Sequence, residues 1–318
     1  MTARVTVARV LLPAGLELLV DRYAVAEGGL DCSREELLAL VPDSSALVAD
    51  PTVPVDGEVI AAAGESLRVI ANFAVGYDNV DLAAAEAAGV TVTNTPDVLT
   101  DATAELAAGL AFAAARGIPE RERVLREGGW TGWDPGGFRG IELSGSTVGV
   151  VGMGRIGTRF AEIIAGTAGR IVYWSRSEKP GPERELGAER MELDELLACS
   201  DLVSLHLAAT AENRNLFDAE RIGAMKQGAI LVNTARGTLV DARAVADALG
   251  SGRLGAAGLD VFENEPEVPD CLLEAPNAVL TPHIGSATYR ARDEMARTVA
   301  RNVIAVLEGE EPPNPVTG

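Results

Sequence analysis

An α/β protein built from two doubly wound parallel sheets is the fold this sequence predicts, and three observations predict it. Short, uncharged, β-branched runs alternate with helical patterns from Arg4 to Leu280, the rhythm of parallel strands joined by crossover helices. That rhythm is complete once before the most distinctive stretch, Thr147-Val-Gly-Val-Val-Gly-Met-Gly-Arg-Ile-Gly157, and resumes after it. A length of 318 residues is that of about two domains.

Taken in order, the strands expected in the first half are Val5 to Leu12, Ala46 to Ala49, Leu67 to Phe73 and Val90 to Thr93, with a helix near Leu16. An Ala-rich helix, Asp101 to Ala115, and a charged helix, Arg121 to Glu127, follow. The irregular loop Gly128 to Gly140 holds Trp130 and Trp133 in a Gly/Pro-rich segment with little core of its own. Those rings need a surface, which either a second subunit or the same chain supplies.

The distinctive stretch reads as a strand buried on both faces, then a sharp turn, then a helix from Arg155 to about Gly166. Gly152, Gly154 and Gly157 stand at the G-x-G-x-x-G spacing. The first permits the turn, the second lets a pyrophosphate approach the backbone, and the third lets helix and strand pack closely. A merely structural Gly-rich turn is the alternative in a chain of 34 glycines. The strand before it, the amphipathic helix after it (Ile156, Phe160, Ile163, Ile164) and a second strand, Arg170 to Trp174, favour a Rossmann-type dinucleotide site at a positive helix terminus. Strands near Asp201 to Leu205, Ala229 to Asn233, Gly255 to Leu259 and Ala278 to Leu280 complete the second sheet. The last helical pattern, Ser286 to Leu307, has no strand after it and is expected to return to the first domain. The expected division is therefore 1–98 with 287–318 as one domain and 99–286 as the other, the Pro-rich tail Glu311 to Gly318 being frayed.

A formal charge of −20 argues against nucleic acid or an anionic membrane as a partner, since both are polyanions. An anionic ligand must then be held by local donors. The N-terminus lacks a signal-peptide pattern and no apolar run reaches a membrane-spanning length, so a cytoplasmic protein is expected. Cys32, Cys199 and Cys271 match no paired spacing and read as buried free thiols, with neither a disulfide framework nor a metal site.

Three successive strands of the second sheet end in residues that can do chemistry: Asn233-Thr-Ala-Arg236-Gly237, Asp260-Val-Phe-Glu-Asn-Glu265-Pro266 and Thr281-Pro-His283-Ile-Gly-Ser. Open α/β sheets bind ligands at this edge. Arg236 can take a carboxylate bidentately, Glu265 can hold and charge an imidazole, and His283 can move a proton near neutral pH. An ordinary surface ion-pair network is the plain alternative.

With Asn72-Phe-Ala-Val-Gly-Tyr-Asp-Asn-Val-Asp81, Asn94-Thr-Pro-Asp-Val-Leu-Thr100, the glycine fingerprint, Asn233-Thr-Ala-Arg-Gly237, Gly258-Leu-Asp-Val-Phe262 and Thr281-Pro-His-Ile-Gly285 in that order, the chain resembles the D-isomer-specific 2-hydroxyacid dehydrogenases over nearly its whole length. Asn94-Thr-Pro-Asp-Val-Leu-Thr100 is most similar to the glyoxylate/hydroxypyruvate reductases. The resemblance implies a flavodoxin-like substrate domain into which the nucleotide domain is inserted, and a homodimer built on the Ala-rich helix and the Trp loop. It implies a catalytic triad of Arg236, Glu265 and His283, and a small 2-oxo or 2-hydroxy acid held by Val75, Gly76 and Arg236 within walls that include Leu99 and Trp133. Cofactor contacts are carried over to Thr103 near the phosphates, Gly152, Gly154, Arg155, Ile156, Gly157, Ser175, Arg176, His206, Leu207, Thr210, Thr234, Ala235, Asp260 at the nicotinamide carboxamide, His283 and Gly285.

The chain departs from that pattern in two places. After His206 the family often has Pro-Leu-Thr, whereas here stand Leu207-Ala-Ala-Thr210, which predicts a looser turn. At the end of the second nucleotide strand an Asp usually selects NAD, but here stand Ser175 and Arg176. That exchange predicts NADP(H) over NAD(H), unless Arg176 pairs with Glu178 or Glu183 instead. Expected substrates are glyoxylate or hydroxypyruvate, with 2-ketogluconate as an alternative and a nucleotide-sensing corepressor-like protein of the same fold as a rival.

Overall fold

A computed structural model of the protein describes residues 3–316. The chain divides into two compact units, Met1–Leu99 with Ser286–Gly318, and Thr100–Gly285.

In the first unit β1 (Arg4–Val7), α1 (Pro13–Val20), β2 (Ala24–Glu27), α2 (Arg34–Leu40), β3 (Ala46–Ala49), α3 (Gly57–Ala63), β4 (Val69–Asn72), α4 (Leu82–Ala87) and β5 (Thr91–Thr93) alternate. The sheet order is β2-β1-β3-β4-β5, all parallel, the flavodoxin-like arrangement. β3 and β4 are buried at every position, as central parallel strands are, and apolar throughout except for Asn72 at the end of β4. Side chains cap three of the helices: Ser33 and Glu36 form a capping box on α2, and Asp56 and Asp81 accept from the first turns of α3 and α4.

The long C-terminal helix Tyr289–Glu308 belongs to this unit. It lies against α1 so closely that a Cβ on Gly15 would come within 2.2 Å of the Ala296 carbonyl oxygen. The end of the chain is not frayed where it is described. Pro315 pairs with Thr93 and the Val316 N–H donates to the Val92 carbonyl; the last two residues lie outside the described ones.

The second unit runs α5 (Thr100–Arg116), α6 (Ile118–Arg126), β6 (Thr147–Val151), α7 (Arg155–Ile164), β7 (Arg170–Trp174), α8 (Pro180–Leu186), β8 (Glu189–Arg190), α9 (Leu193–Cys199), β9 (Leu202–Leu205), α10 (Ala219–Ala224), β10 (Ala229–Asn233), α11 (Ala242–Gly250), β11 (Leu254–Leu259), α12 (Asp270–Leu273) and β12 (Ala278–Leu280). Its parallel sheet has the order β12-β11-β10-β9-β6-β7-β8. Strand order reverses between β6 and β9, the switch point where a doubly wound sheet opens its ligand crevice. Ala104, Ala107, Ala108, Ala111 and Ala114 of α5 are buried in the core of this unit. They fit the helix to the sheet: a Cβ on Gly258 of β11 would stand 2.9 Å from the Leu110 Cβ. Those small residues therefore serve packing within the chain.

Trp130 and Trp133 are 55% and 83% exposed, so the chain covers neither ring fully. The cysteines are free but only part-buried, which corrects the expectation of buried thiols. Among the described residues no helix is long and apolar enough to cross a membrane, and no group of three or more His, Cys, Asp or Glu is placed to hold a metal ion.

Candidate active site

The glycine turn after β6 has the form a pyrophosphate requires, and each glycine has a separate physical reason. Gly152 has φ +101 and abuts the His206 carbonyl, which a Cβ would approach to 2.6 Å. Gly157 packs α7 onto the turn, with the Gly152 oxygen only 2.1 Å from where its Cβ would be. Gly154 is exposed, and a Cβ there would meet nothing within 4 Å. It is also the N-cap of α7 and supplies no side-chain cap. The helix thus opens on a positive terminus with no side-chain cap, the kind of end that draws an anion. These features fit the diphosphate of a dinucleotide.

At the end of β7, Ser175 is buried and its hydroxyl donates to the Ser177 carbonyl. The sequence reading expected Ser175 as a cofactor contact; its hydroxyl is here bonded within its own turn. Arg176 is exposed and makes no ion pair among the described residues. Glu183 accepts from the Tyr173 hydroxyl and from the Lys179 N–H, which removes it as a partner. The Arg176 charge helps hold the Glu212 carboxyl below its ordinary value, after hydrogen bonds from Thr210 and the backbone. Arg190, which sequence reasoning missed, brings a second guanidinium here and donates to the Ser175 carbonyl at 3.2 Å. It lies on the two-residue strand β8, too short to show a pattern.

His206 ends β9 with its ring 5.1 Å from that of Phe160 on α7 and its Nε2 2.9 Å from the Ser204 hydroxyl. Burial pushes its pKa down to about 3, so it is a neutral ring that fastens α7 to the switch point. The turn after it is tied rather than loose. The Asn213 amide donates to the Ala208 carbonyl at 3.0 Å, and Thr210 bonds Glu212.

A base whose folded pKa is depressed is protonated first in the unfolded chain, so its stabilisation is present above the ordinary value of 6.5 and lost as pH falls toward the folded value. The slope is at most about 1.4 kcal/mol per pH unit for one proton. Unfolding midpoints between about pH 7 and pH 4 should therefore fall more steeply in the parent than in His206→Gln. Parallel curves would show that His206 carries no such linkage.

The chemistry-bearing residues converge on the ends of β10, β11 and β12. Asn233 closes the first loop: its amide donates to the Arg236 carbonyl at 2.8 Å and its oxygen accepts from the Ala235 N–H at 3.0 Å. Gly237 then presses on the next loop, where a Cβ would lie 2.0 Å from the Phe262 carbonyl carbon. Arg236 donates to the Ala235 carbonyl at 2.8 Å. Thr234 is buried beside it, its hydroxyl without a partner among the described residues.

Glu265 accepts from the Phe262 N–H at 2.9 Å and, through its other oxygen, from His283 Nδ1 at 2.6 Å. Burial pushes the Glu265 carboxyl up, but the bonds from His283 and Phe262 and the charges of His283 and Arg236 outweigh it and hold the group below its ordinary value. It stays ionised at neutral pH. With Nδ1 engaged by the carboxylate, Nε2 is the nitrogen left to exchange a proton with a ligand.

His283 has φ 51, a left-handed conformation that a non-glycine residue holds only when its surroundings impose it. Asp260 imposes it. The Asp260 carbonyl accepts from the His283 N–H at 2.9 Å, and its carboxylate accepts from the Thr281 hydroxyl at 2.6 Å and from the Ile284 and Gly285 N–H groups at 2.8 Å. The carboxylate is wholly buried, and burial raises its pKa despite those donors. Asp260 thereby positions the histidine loop. Thr103 stands against Gly285 at this same place, whereas Asp101, in the same turn of α5, pairs with Arg159 on α7 at 2.8 Å.

In the first unit, Val75 and Gly76 are part-buried in the segment after β4, and Leu99 is buried.

Comparison with known proteins agrees with this architecture. The family described as "D-isomer specific 2-hydroxyacid dehydrogenase, NAD binding domain" matches residues 108–285. A glyoxylate reductase of Thermococcus kodakarensis is 46% identical over 319 aligned residues, covering 98% of this chain and 96% of that one. A crystal structure of a Thermus thermophilus protein superposes with a TM-score of 0.92 at 45% identity, covering 99% of this chain and 100% of the other. An NADPH-dependent glyoxylate/hydroxypyruvate reductase from Sinorhizobium meliloti, solved with NADP and malonate, has a TM-score of 0.88 at 33% identity, covering 100% and 97%.

Proposed function

The chain belongs to the D-isomer-specific 2-hydroxyacid dehydrogenase family, and from that premise we propose that it reduces a small 2-oxo acid, glyoxylate or hydroxypyruvate, to the 2-hydroxy acid, the D isomer where that product is chiral. The observation that carries the reading is the 2.6 Å bond between His283 Nδ1 and Glu265, on a carboxylate that also feels the Arg236 charge.

A nicotinamide cofactor would be held at its diphosphate by the Gly152–Gly157 turn and would supply the hydride for the carbonyl carbon. The chain's own residues do the rest. Val75 and Gly76 hold the substrate carboxylate through backbone N–H groups. Arg236 holds the carboxylate too and polarises the ketone. His283 delivers a proton from Nε2 to the carbonyl oxygen, and Glu265 stabilises the imidazolium from which that proton comes. Asp260 fixes the loop that aims the ring. Leu99 and Trp133 limit the size of the substrate.

The cofactor preference follows from β7. With no carboxylate at its end, and with Arg176 exposed and Arg190 beside it, the adenosine 2′ position is set for a phosphate. Hydrogen bonds to charged groups contribute about 1.5–3 kcal/mol, or roughly 10- to 150-fold in affinity, and the exposure of Arg176 favours the lower figure. Measuring kcat/KM with NADPH and NADH on glyoxylate, hydroxypyruvate and 2-ketogluconate tests substrate and cofactor together. The parent should prefer NADPH, and Arg176→Ala should erode that preference by about tenfold. A parent that favours NADH would overturn the cofactor reading, and no turnover of any of the three would favour a nucleotide-sensing binding protein.

The exposed Trp130, Trp133, Phe138, Ile118 and Leu125 support a homodimer, since this much apolar surface on one arm calls for a partner. Sedimentation at working concentration decides it, an active monomer being the contrary result.

A further inference from the structure

The acidic chain must hold an anionic substrate, and the segment after β4 offers it no cationic side chain: Phe73-Ala-Val-Gly-Tyr77 contributes only peptide groups. Neutral N–H dipoles bind an anion well only when their direction is fixed beforehand, because reorienting them on binding consumes the gain. What fixes them here can be followed bond by bond.

Three consecutive carbonyls of this segment are tied down. The Ala74 oxygen accepts from the Thr95 N–H at 2.8 Å, the Val75 oxygen from the Asn94 side-chain amide at 2.8 Å, and the Gly76 oxygen from the Asn72 side-chain amide at 2.8 Å. A trans peptide sets its C=O and N–H on opposite edges of one plane. Each tied carbonyl therefore turns the next residue's N–H away from the partner, so Val75, Gly76 and Tyr77 each hold an N–H in a set direction. None of these three donates to another group among the described residues.

The two asparagines are themselves anchored. Asn72 is wholly buried, and its amide is paired with that of Asn79 through bonds of 3.0 and 3.2 Å. Asn79 in turn donates to the Asp50 and Val53 carbonyls at 3.0 and 2.9 Å. The backbone carbonyl of Asn94 accepts from Asn302 on the C-terminal helix at 3.1 Å.

We propose that Asn72 and Asn94 are positioning residues for substrate: by clamping the Gly76 and Val75 carbonyls they aim the Tyr77 and Gly76 N–H groups at the substrate carboxylate, which makes the Tyr77 N–H a further carboxylate donor. The inference rests on the reading that the carboxylate docks on this segment, and it assigns the direction of the donors to side chains that never touch the substrate.

The test uses glyoxylate turnover and the competitive binding of oxamate, a non-reduced carboxylate of similar shape. In Asn94→Ala, which loses only the clamp on Val75, the glyoxylate KM and the oxamate Ki should each rise about tenfold, with kcat and the cofactor KM within about twofold of the parent. Asn72→Ala should do the same through Tyr77. Should that buried change unfold the protein, Asn94→Ala decides alone, with its unfolding midpoint measured alongside. A folded Asn94→Ala enzyme with parental KM and Ki overturns the inference, as does a loss shared equally by cofactor binding and kcat, which marks general damage. A parent that neither reduces glyoxylate nor binds oxamate refutes the functional reading instead, so the two failures are distinguishable.

Discussion

Replacing His283 by alanine is expected to lower kcat by about 10²–10⁴, the range general acid–base catalysis contributes, with little change in cofactor affinity. The size follows from the position of the ring rather than its residue type. Its Nδ1 is held by Glu265 at 2.6 Å, so the proton it handles is the one on Nε2. The backbone is kept in a left-handed conformation by a buried aspartate whose carboxylate accepts three hydrogen bonds from the 281–285 loop. Such a rigid frame survives loss of the ring, so the variant should fold.

Glu265→Gln separates orientation from charge. The amide can still accept a bond from Nδ1 but does not stabilise an imidazolium, so kcat should fall. Because the Glu265 carboxyl lies below its ordinary value of 4.5, its contribution to stability is fully present above that pH and is lost as pH falls through the folded value. The parent should therefore lose stability in that acid window more than Glu265→Gln does. A His283→Ala enzyme with near-parental kcat across the pH range would remove the residue from the chemistry.

The parallel strands of the sheet interiors were legible because burial on both faces writes an uninterrupted apolar run: Ala46 to Ala49 and Ala229 to Asn233 end where the structure ends them. The edge strands were not. β2, Ala24–Glu27, is open to solvent along one side and carries a charge, and β8 is only two residues long, so neither has a period to detect.

The same divide runs through the site. Arg236, Glu265 and His283 could be found because each follows a readable strand and carries a group that interior packing does not need. Asp260 was found as a candidate cofactor contact but its bonds to the 281–285 loop were not, since sequence shows that a carboxylate is present and not how many N–H groups surround it. Asn72 and Asn94 were quoted as motif residues and their amides overlooked, because their partners are backbone carbonyls, which leave no trace in residue identity.

Substituting Gly154 by serine should stabilise the fold slightly and weaken cofactor binding by roughly 10²–10⁴, an opposition that only a ligand-directed glycine produces. The neighbouring glycines cannot give so clean a result. At Gly157 a Cβ would lie 2.1 Å from the Gly152 oxygen, and at Gly152 it would lie 2.6 Å from the His206 oxygen, with a backbone φ of +101; either change damages the packing before it reaches the ligand. Gly154 has φ −82 and ψ −165, extended backbone open to any residue, with nothing within 4 Å of a new Cβ. As the N-cap of α7, serine can accept from an N–H of the first turn, worth a few tenths of a kcal/mol over glycine, and the less flexible unfolded chain adds about 0.4–1 kcal/mol. The same hydroxyl then occupies a donor that the diphosphate needs and stands where its oxygens must approach. Losing two charged hydrogen bonds at about 1.5–3 kcal/mol each gives the stated range. Cofactor titration and the unfolding midpoint, measured on one preparation, report the two effects separately. A variant that is more stable and still binds cofactor as the parent does would show that the turn is a packing device and that the diphosphate lies elsewhere.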